Sequence, residues 1–177
     1  METMQLLSQK FKGLIELPRG ELEDEWIAFN LFEISEFTSL FAKLLAQVCS
    51  CQQMTAGAGY EYMWTTSEQQ SSIPASEYVQ KVLDFVQQQM GDQKLFPIEP
   101  GVPFPRGFKH VASQILRRIL RVYIHAYLDH QPMLDQLDIR EQFCQCLIFV
   151  LKFGKKFELL GNADFEPIQL FVNQWKI

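Results

Sequence analysis

Apolar residues recur along this chain at three- and four-residue intervals, the spacing that gathers them on one side of a helix. The longest such run begins after Leu22, where Trp26, Phe29, Leu31, Phe32, Ile34, Phe37, Leu40, Phe41, Leu44, Leu45 and Val48 predict a buried helix that reaches the first cysteines. Tyr78, Val79, Val82, Leu83, Phe85, Val86 and Met90 mark a second helix, opened near Ser76 and Glu77 and ended at Gly91. A third starts at about Phe108 and is apolar around most of its circumference from Val111 to Tyr127, which predicts a place at the centre of a bundle, with Pro132 marking its end. Further helices are predicted over about 139–153 and 165–175, the last with Pro167 in its first turn. Residues 1–17 form a short N-terminal arm with Leu6, Leu7, Phe11 and Leu14 near helical spacing, limited by Gly13 and Pro18.

Two stretches break the helical period. Between 52 and 75, Gly57 and Gly59 bracket a turn and Tyr60 to Trp64 alternates in aromatic weight, which predicts a small strand or hairpin laid over the helices. The segment LFPIEPGVPFPRGF, from Leu95, holds four prolines and two glycines and predicts an extended connector anchored by phenylalanines. The fold class expected is mainly α, a helical bundle with a small β-hairpin.

Composition narrows this without redirecting it. At 177 residues with 47% hydrophobic and 21% charged side chains, the chain suits one globular domain, taken as residues 18–177 after the arm. Its net charge of −5 argues against generic nucleic-acid binding and favours a basic partner. The N-terminus lacks the continuous apolar stretch of a signal peptide, and no run reaches bilayer-spanning length. Four cysteines in two Cys-x-Cys pairs, with no secretory features, point to reduced thiols and a cytoplasmic or nuclear protein.

Candidate chemistry concentrates in Arg117 to His130, reading RRILRVYIHAYLDH, where cationic and titratable side chains enter the most apolar run and need partners there. Arg117 and Arg121 lie four apart on one helix face with Arg118 beside them, so three guanidinium groups can converge on one dianion such as a phosphorylated side chain; a solvent stripe paired with carboxylates is the plainer alternative. His125 and His130 have a spacing used in tetrahedral zinc sites, with Cys49 and Cys51 as the remaining candidate ligands. Five residues of regular helix rotate by about 140°, so both imidazoles can meet one ion only if the helix ends or loosens near Asp129. The alternative is buried thiols and core histidines; Cys144 and Cys146, in mid-helix, read as core fillers. Glu21, Glu23, Asp24 and Glu25 crowd the start of the first long helix, where its dipole favours acids, and Glu33 and Glu36 read as solvated positions.

The segments LPRGELEDEWIAFN, Cys-x-Cys before QMTAG, YEYMW, IPASEYVQKVLDFVQ, LFP with GVPFP, ILRRILRVYIHAY and FVLKFG, in this order, resemble the Mob/phocein family of kinase adaptors from about Leu17 onward, closest to its Ndr/Lats-activating branch. The resemblance implies an α-helical bundle with a structural Zn2+ held by Cys49, Cys51, His125 and His130, although the family separates its cysteines by four residues where this chain has one. It implies a basic pocket for phosphorylated segments of an upstream Hippo-type kinase or scaffold, with Arg117, Arg118 and Arg121 on its three cationic positions. It further implies an acidic surface for the basic N-terminal regulatory region of an Ndr/Lats-type kinase, with Glu21, Glu25 and Glu33 on its positions, Glu33 where Asp is usual. Thr3 is the one candidate in the arm for the regulatory phosphorylation some members carry.

These expectations describe a monomeric, non-catalytic adaptor in cell-division or morphogenesis signalling, placed in the cytoplasm, the nucleus, at spindle poles or at the cell cortex. A P-loop, a kinase signature and a nucleophile elbow are all missing from the sequence, and four protein ligands would leave no open catalytic position on a metal. The alternatives are a plain scaffold that recognises no phosphate and a zinc- or thiol-dependent enzyme.

Overall fold

The computed structural model describes residues 15–66 and 68–177. The expectations for residues 1–14, Thr3 among them, lie outside these. Helix α1 (Glu23–Leu45) fills the longest apolar run, with Glu23, Asp24 and Glu25 in its first turn and Lys43 in its last, the signs its dipole favours. Its buried stripe is set by 27, 31, 34, 38, 41 and 45, at the spacing of one helix face. Phe29, Phe32, Leu40 and Val48, expected on the buried side, are exposed. The run is apolar on more than one side, so periodicity alone does not select the face that meets neighbours. Glu33 corrects the opposite way. It lies one residue from Ile34 and four before Phe37, and folding leaves it 8% exposed rather than solvated.

After α1 a loop carries both first cysteines and leads to β1 (Trp64–Thr65), which pairs antiparallel with β2 (Gln70–Ser71). Left-handed Gly57 and Gly59 turn the chain between Met54 and Tyr62, whose backbones join at 2.7 Å. Helix α2 (Ala75–Gly91) starts after Pro74, one turn position earlier than Ser76 suggests, because the Ala75 N–H is already satisfied by Cys51 O at 3.0 Å. The proline-rich connector then folds Phe96, Phe104 and Phe108 into a ring cluster, with centroids 4.3 Å apart for Phe104 and Phe108 and 5.2 Å for Phe96 and Phe108.

Helix α3 (Phe108–Asp129) is central, packing against α1, α2 and α5 (Arg140–Lys156). An aromatic cluster joins three of these helices: Phe41 of α1 stands 6.0 Å from Tyr123 of α3 and 4.8 Å from Phe143 of α5. Thr38 Oγ1 donates to Ile34 O at 2.7 Å and lies 3.4 Å from the buried Tyr123 hydroxyl, which supplies that hydroxyl with a partner in the core. Helix α3 stops at Asp129, before Pro132; the proline instead occupies the first turn of the short α4 (Gln131–Gln136), where its missing N–H costs nothing. The expected final helix is divided into α6 (Asn162–Phe165), a 3-10 turn (Glu166–Ile168) and α7 (Gln169–Gln174), with Pro167 in the tight middle piece. Among the described residues no helix is long and apolar enough to cross a membrane.

Candidate metal centre and charged surfaces

Three helix ends converge on the four expected ligands. Cys49 follows α1, its N–H still bonded to Leu45 O at 2.8 Å, and Cys51 is tied by its carbonyl to the start of α2. His125 belongs to the last turn of α3, and His130 is the first residue beyond it, with φ −129° and ψ 29°. That departure from helical backbone brings the second imidazole round to the first, as the 140° offset demands. Cys49 Sγ lies 3.4 Å from His125 Nε2, Cys51 Sγ 3.5 Å from His130 Nε2, and the two Nε2 atoms are 3.2 Å apart. All four ligand atoms fall within 4.8 Å of one another.

These separations suit a tetrahedral ion. Bonds of ~2.3 Å to sulfur and ~2.0 Å to nitrogen at tetrahedral angles require about 3.5 Å between S and N and about 3.3 Å between N and N. The tautomer agrees as well. His125 Nδ1 is 2.8 Å from Thr55 O, and a carbonyl only accepts, so Nδ1 carries the proton and Nε2 turns its lone pair toward His130 Nε2. Two imidazole nitrogens facing across 3.2 Å beside two thiols need a cation or a proton between them. The one-residue cysteine spacing is no obstacle, because the helix ends bring Sγ atoms to the histidines from two directions. These four side chains could hold a metal ion.

Asp129, unremarked in the sequence, supports the site from behind. Its Oδ2 accepts from Thr55 Oγ1 at 2.9 Å and Gly57 N at 3.3 Å and stands 3.1 Å from His125 Nδ1. A carboxylate on the far nitrogen of a ligating histidine orients the ring and raises its basicity. Its signal was its place, four residues after His125 on the same helix face. Burial pushes the Cys49 thiol up to about 11, and burial together with the His125 ring lowers His130 from its ordinary value. Both shifts favour neutral side chains, and a metal ion would reverse that preference for Cys49 by binding its thiolate.

The basic face presents the three expected arginines, each with its own contact. Arg117 Nε donates to Asp164 Oδ2 at 3.1 Å. Arg118 lies between two rings, its guanidinium carbon 4.3 Å from the Trp64 centroid and 4.4 Å from that of Phe85. Arg121 Nη1 donates to the Tyr78 hydroxyl at 2.9 Å and its guanidinium covers Tyr62 at 5.2 Å. Burial, with the Arg121 charge beside it, lowers the Arg118 guanidinium from its ordinary value, against an opposing pull from Tyr78. Neither Arg118 nor Arg121 has a carboxylate partner among the described residues. The hairpin aromatics and Asp164 were missed in sequence because they reach the arginines from distant segments.

Of the expected acids, Glu21 and Glu25 are exposed at the start of α1 and form no ion pair among the described residues, whereas Glu33, two turns further along, is buried. Glu23, between them, is held by Lys109 at 2.9 Å. Leu22 and Phe29, both exposed, share this surface, so two open carboxylates adjoin apolar side chains.

Residues 3–168 match the family model described as Mob1/phocein family. "Maintenance of ploidy protein mob1" of Schizosaccharomyces pombe is 32% identical over 165 residues, 90% of this chain and 79% of that protein. "MOB kinase activator-like 1A" of Arabidopsis thaliana is 32% identical over 168 residues, covering 92% and 78%. "MOB kinase activator 3C" of Homo sapiens is 29% identical over 164 residues, covering 89% and 76%.

Proposed function

The chain belongs to the Mob1/phocein family, and on that premise we propose that it is a non-catalytic adaptor that activates an Ndr/Lats-type protein kinase by binding. The supporting observation is the acidic surface of α1: Glu21 and Glu25 without cationic partners among the described residues, flanked by exposed Leu22 and Phe29. Such a surface suits a basic, amphipathic kinase segment, whose cations meet the carboxylates while its apolar residues cover Leu22 and Phe29. Glu33, two turns along from Glu25, is buried, and the contact is assigned to Glu21 and Glu25. Activation would come from differential affinity, with the adaptor binding one arrangement of the kinase better than another.

The second part of the reading is a phosphopeptide site at Arg117, Arg118 and Arg121, serving a phosphorylated Hippo-type kinase or scaffold segment. Arg118 and Arg121, held by rings and a hydroxyl and without a carboxylate partner among the described residues, support it, since preformed guanidinium groups lose little freedom on binding phosphate. The ion assigned to Cys49, Cys51, His125 and His130 is zinc in a structural role, fixing the ends of α1 and α3 and the start of α2. The chain would act as a monomer in the cytoplasm or nucleus, at spindle poles or at the cell cortex.

The reading is tested by isothermal titration of the purified chain with a synthetic basic regulatory segment of an Ndr/Lats-type kinase. Saturable binding that is lost on Glu21→Lys with Glu25→Lys, with an unchanged melting temperature, is the expected result. Binding unaffected by the double reversal would sink the surface assignment.

A further inference from the structure

Arg117 is unlike the other two arginines of the basic face because it is already engaged by an acid. The carboxylate that holds it, Asp164, is only 19% exposed and does not depend on Arg117 for its position. The same Oδ2 that takes Arg117 Nε at 3.1 Å also accepts the Gly161 N–H at 2.8 Å, in the turn that opens α6. Arg118 and Arg121 offer their charge to Thr65 O and the Tyr78 hydroxyl, groups without formal charge. Among the described residues, three cations four residues or fewer apart are thus divided, two without a carboxylate and one with.

We propose that Asp164 is a built-in competitor for the incoming phosphate, a specificity residue that holds Arg117 until a dianionic group displaces it. The proposal rests on the phosphopeptide reading given above. A phosphorylated side chain carries about −1.5 to −2 at pH 7 and three acceptor oxygens, so it can exceed what a single carboxylate gives Arg117. An unphosphorylated acidic segment, or a glutamate standing for phosphothreonine, brings only what Asp164 already supplies. Asp164 also repels any second anion brought beside it. The pair therefore discriminates against monoanionic ligands at the cost of some affinity for the right one, specificity obtained through a repulsive element.

The test uses the full chain immobilised and probed with a degenerate phosphothreonine peptide library, its unphosphorylated twin and a twin with glutamate at the fixed position. Asp164→Asn keeps an oxygen to accept from Gly161 while removing the charge. It should raise phosphopeptide retention about threefold, the size of a partly exposed ion pair plus relieved repulsion, and raise glutamate-peptide retention by at least as much. Added to Arg117→Ala, Asp164→Asn should raise phosphopeptide retention by less than it does in the unaltered chain, since only the repulsion is then left to relieve. A measurement on the unaltered protein guards against a folding defect: the Arg117 Nε–H resonance should shift as phosphothreonine peptide is added. Phosphopeptide retention that Asp164→Asn leaves unchanged or lowers, with an immobile Arg117 resonance, overturns the competitor role while leaving the phosphopeptide reading intact. If neither protein prefers phosphorylated to unphosphorylated peptide, that reading fails and this inference with it.

Discussion

Asp129→Asn perturbs the cluster of Cys49, Cys51, His125 and His130, which could hold a metal ion, without altering any of the four, and its effect can be worked from the contacts of one oxygen. Asp129 Oδ2 receives Thr55 Oγ1, Gly57 N and the His125 Nδ1 side at 2.9, 3.3 and 3.1 Å. Asparagine can keep the first two through its own oxygen, and Thr55 O still accepts from Nδ1 at 2.8 Å, so the imidazole stays in place. What disappears is the negative charge behind a ring that donates electron density to the ion. Losing a charge at this distance is worth roughly 1 kcal/mol, which at about 1.4 kcal/mol per decade is about fivefold in metal affinity, just below the ~10–100-fold typical of such supporting carboxylates. Competition with a chromophoric zinc chelator at neutral pH measures this directly. His125→Ala, which removes a ligand, should weaken binding far more. Affinity for Asp129→Asn within twofold of the unaltered chain would refute the supporting role, and a loss as large as that of His125→Ala would mean that Asp129 is itself a ligand.

Other consequences follow from the same contacts. Gly154→Ala would set a Cβ inside the space of Leu160 Cδ1 and Cγ and 3.0 Å from Leu116 Cδ2, so it should cost about 1–3 kcal/mol as overpacking does, seen as a melting temperature lowered by several degrees. In chelator-treated protein, the lowered His130 means that the unfolded chain takes up its proton first as pH drops below 6.5, so stability present above that value is lost below it. The raised Cys49 works at the other end: the unfolded chain releases its proton first, so stability declines as pH climbs from 9.0 to about 11, and Cys49→Ser should flatten that limb of urea midpoints measured across pH. Arg118→Ala with Arg121→Ala should abolish preference for phosphorylated over unphosphorylated peptide; a preference that survives would return these arginines to the role of a packed, solvent-facing stripe.

The bundle was readable because helix spacing survives in sequence, and the four longest helices among the described residues fall where the apolar runs put them. Their faces were less readable. Helix α1 carries Phe29 and Phe32 as well as Ile27 and Leu31, and hydrophobicity cannot distinguish a side that meets α3 from one left open. The burial of Glu33 was not readable at all, because it lies one turn from exposed Phe29 and well off the stripe of 27, 31, 34, 38, 41 and 45. The cluster that could hold a metal ion was legible from residue type and from the requirement that α3 stop near Asp129, which it does. Asp129 itself and Asp164 were not, since a carboxylate gains its role from partners such as Thr55, 74 positions away, or Arg117, 47 away. Pro132 misled for a local reason: a proline can open a helix as readily as close one, and only the φ and ψ of His130 decide between them.

The claim that matters most is that this chain raises a kinase's activity through binding alone. Its direct measurement is the initial rate of substrate phosphorylation by an Ndr/Lats-type kinase retaining its basic N-terminal region, titrated with this protein. The account predicts a saturable rise in rate, absent with Glu21→Lys and Glu25→Lys together and absent with a kinase lacking that region, and no phosphorylation by the chain alone. A rate that stays flat across the titration, or a rise indifferent to both alterations, would contradict it.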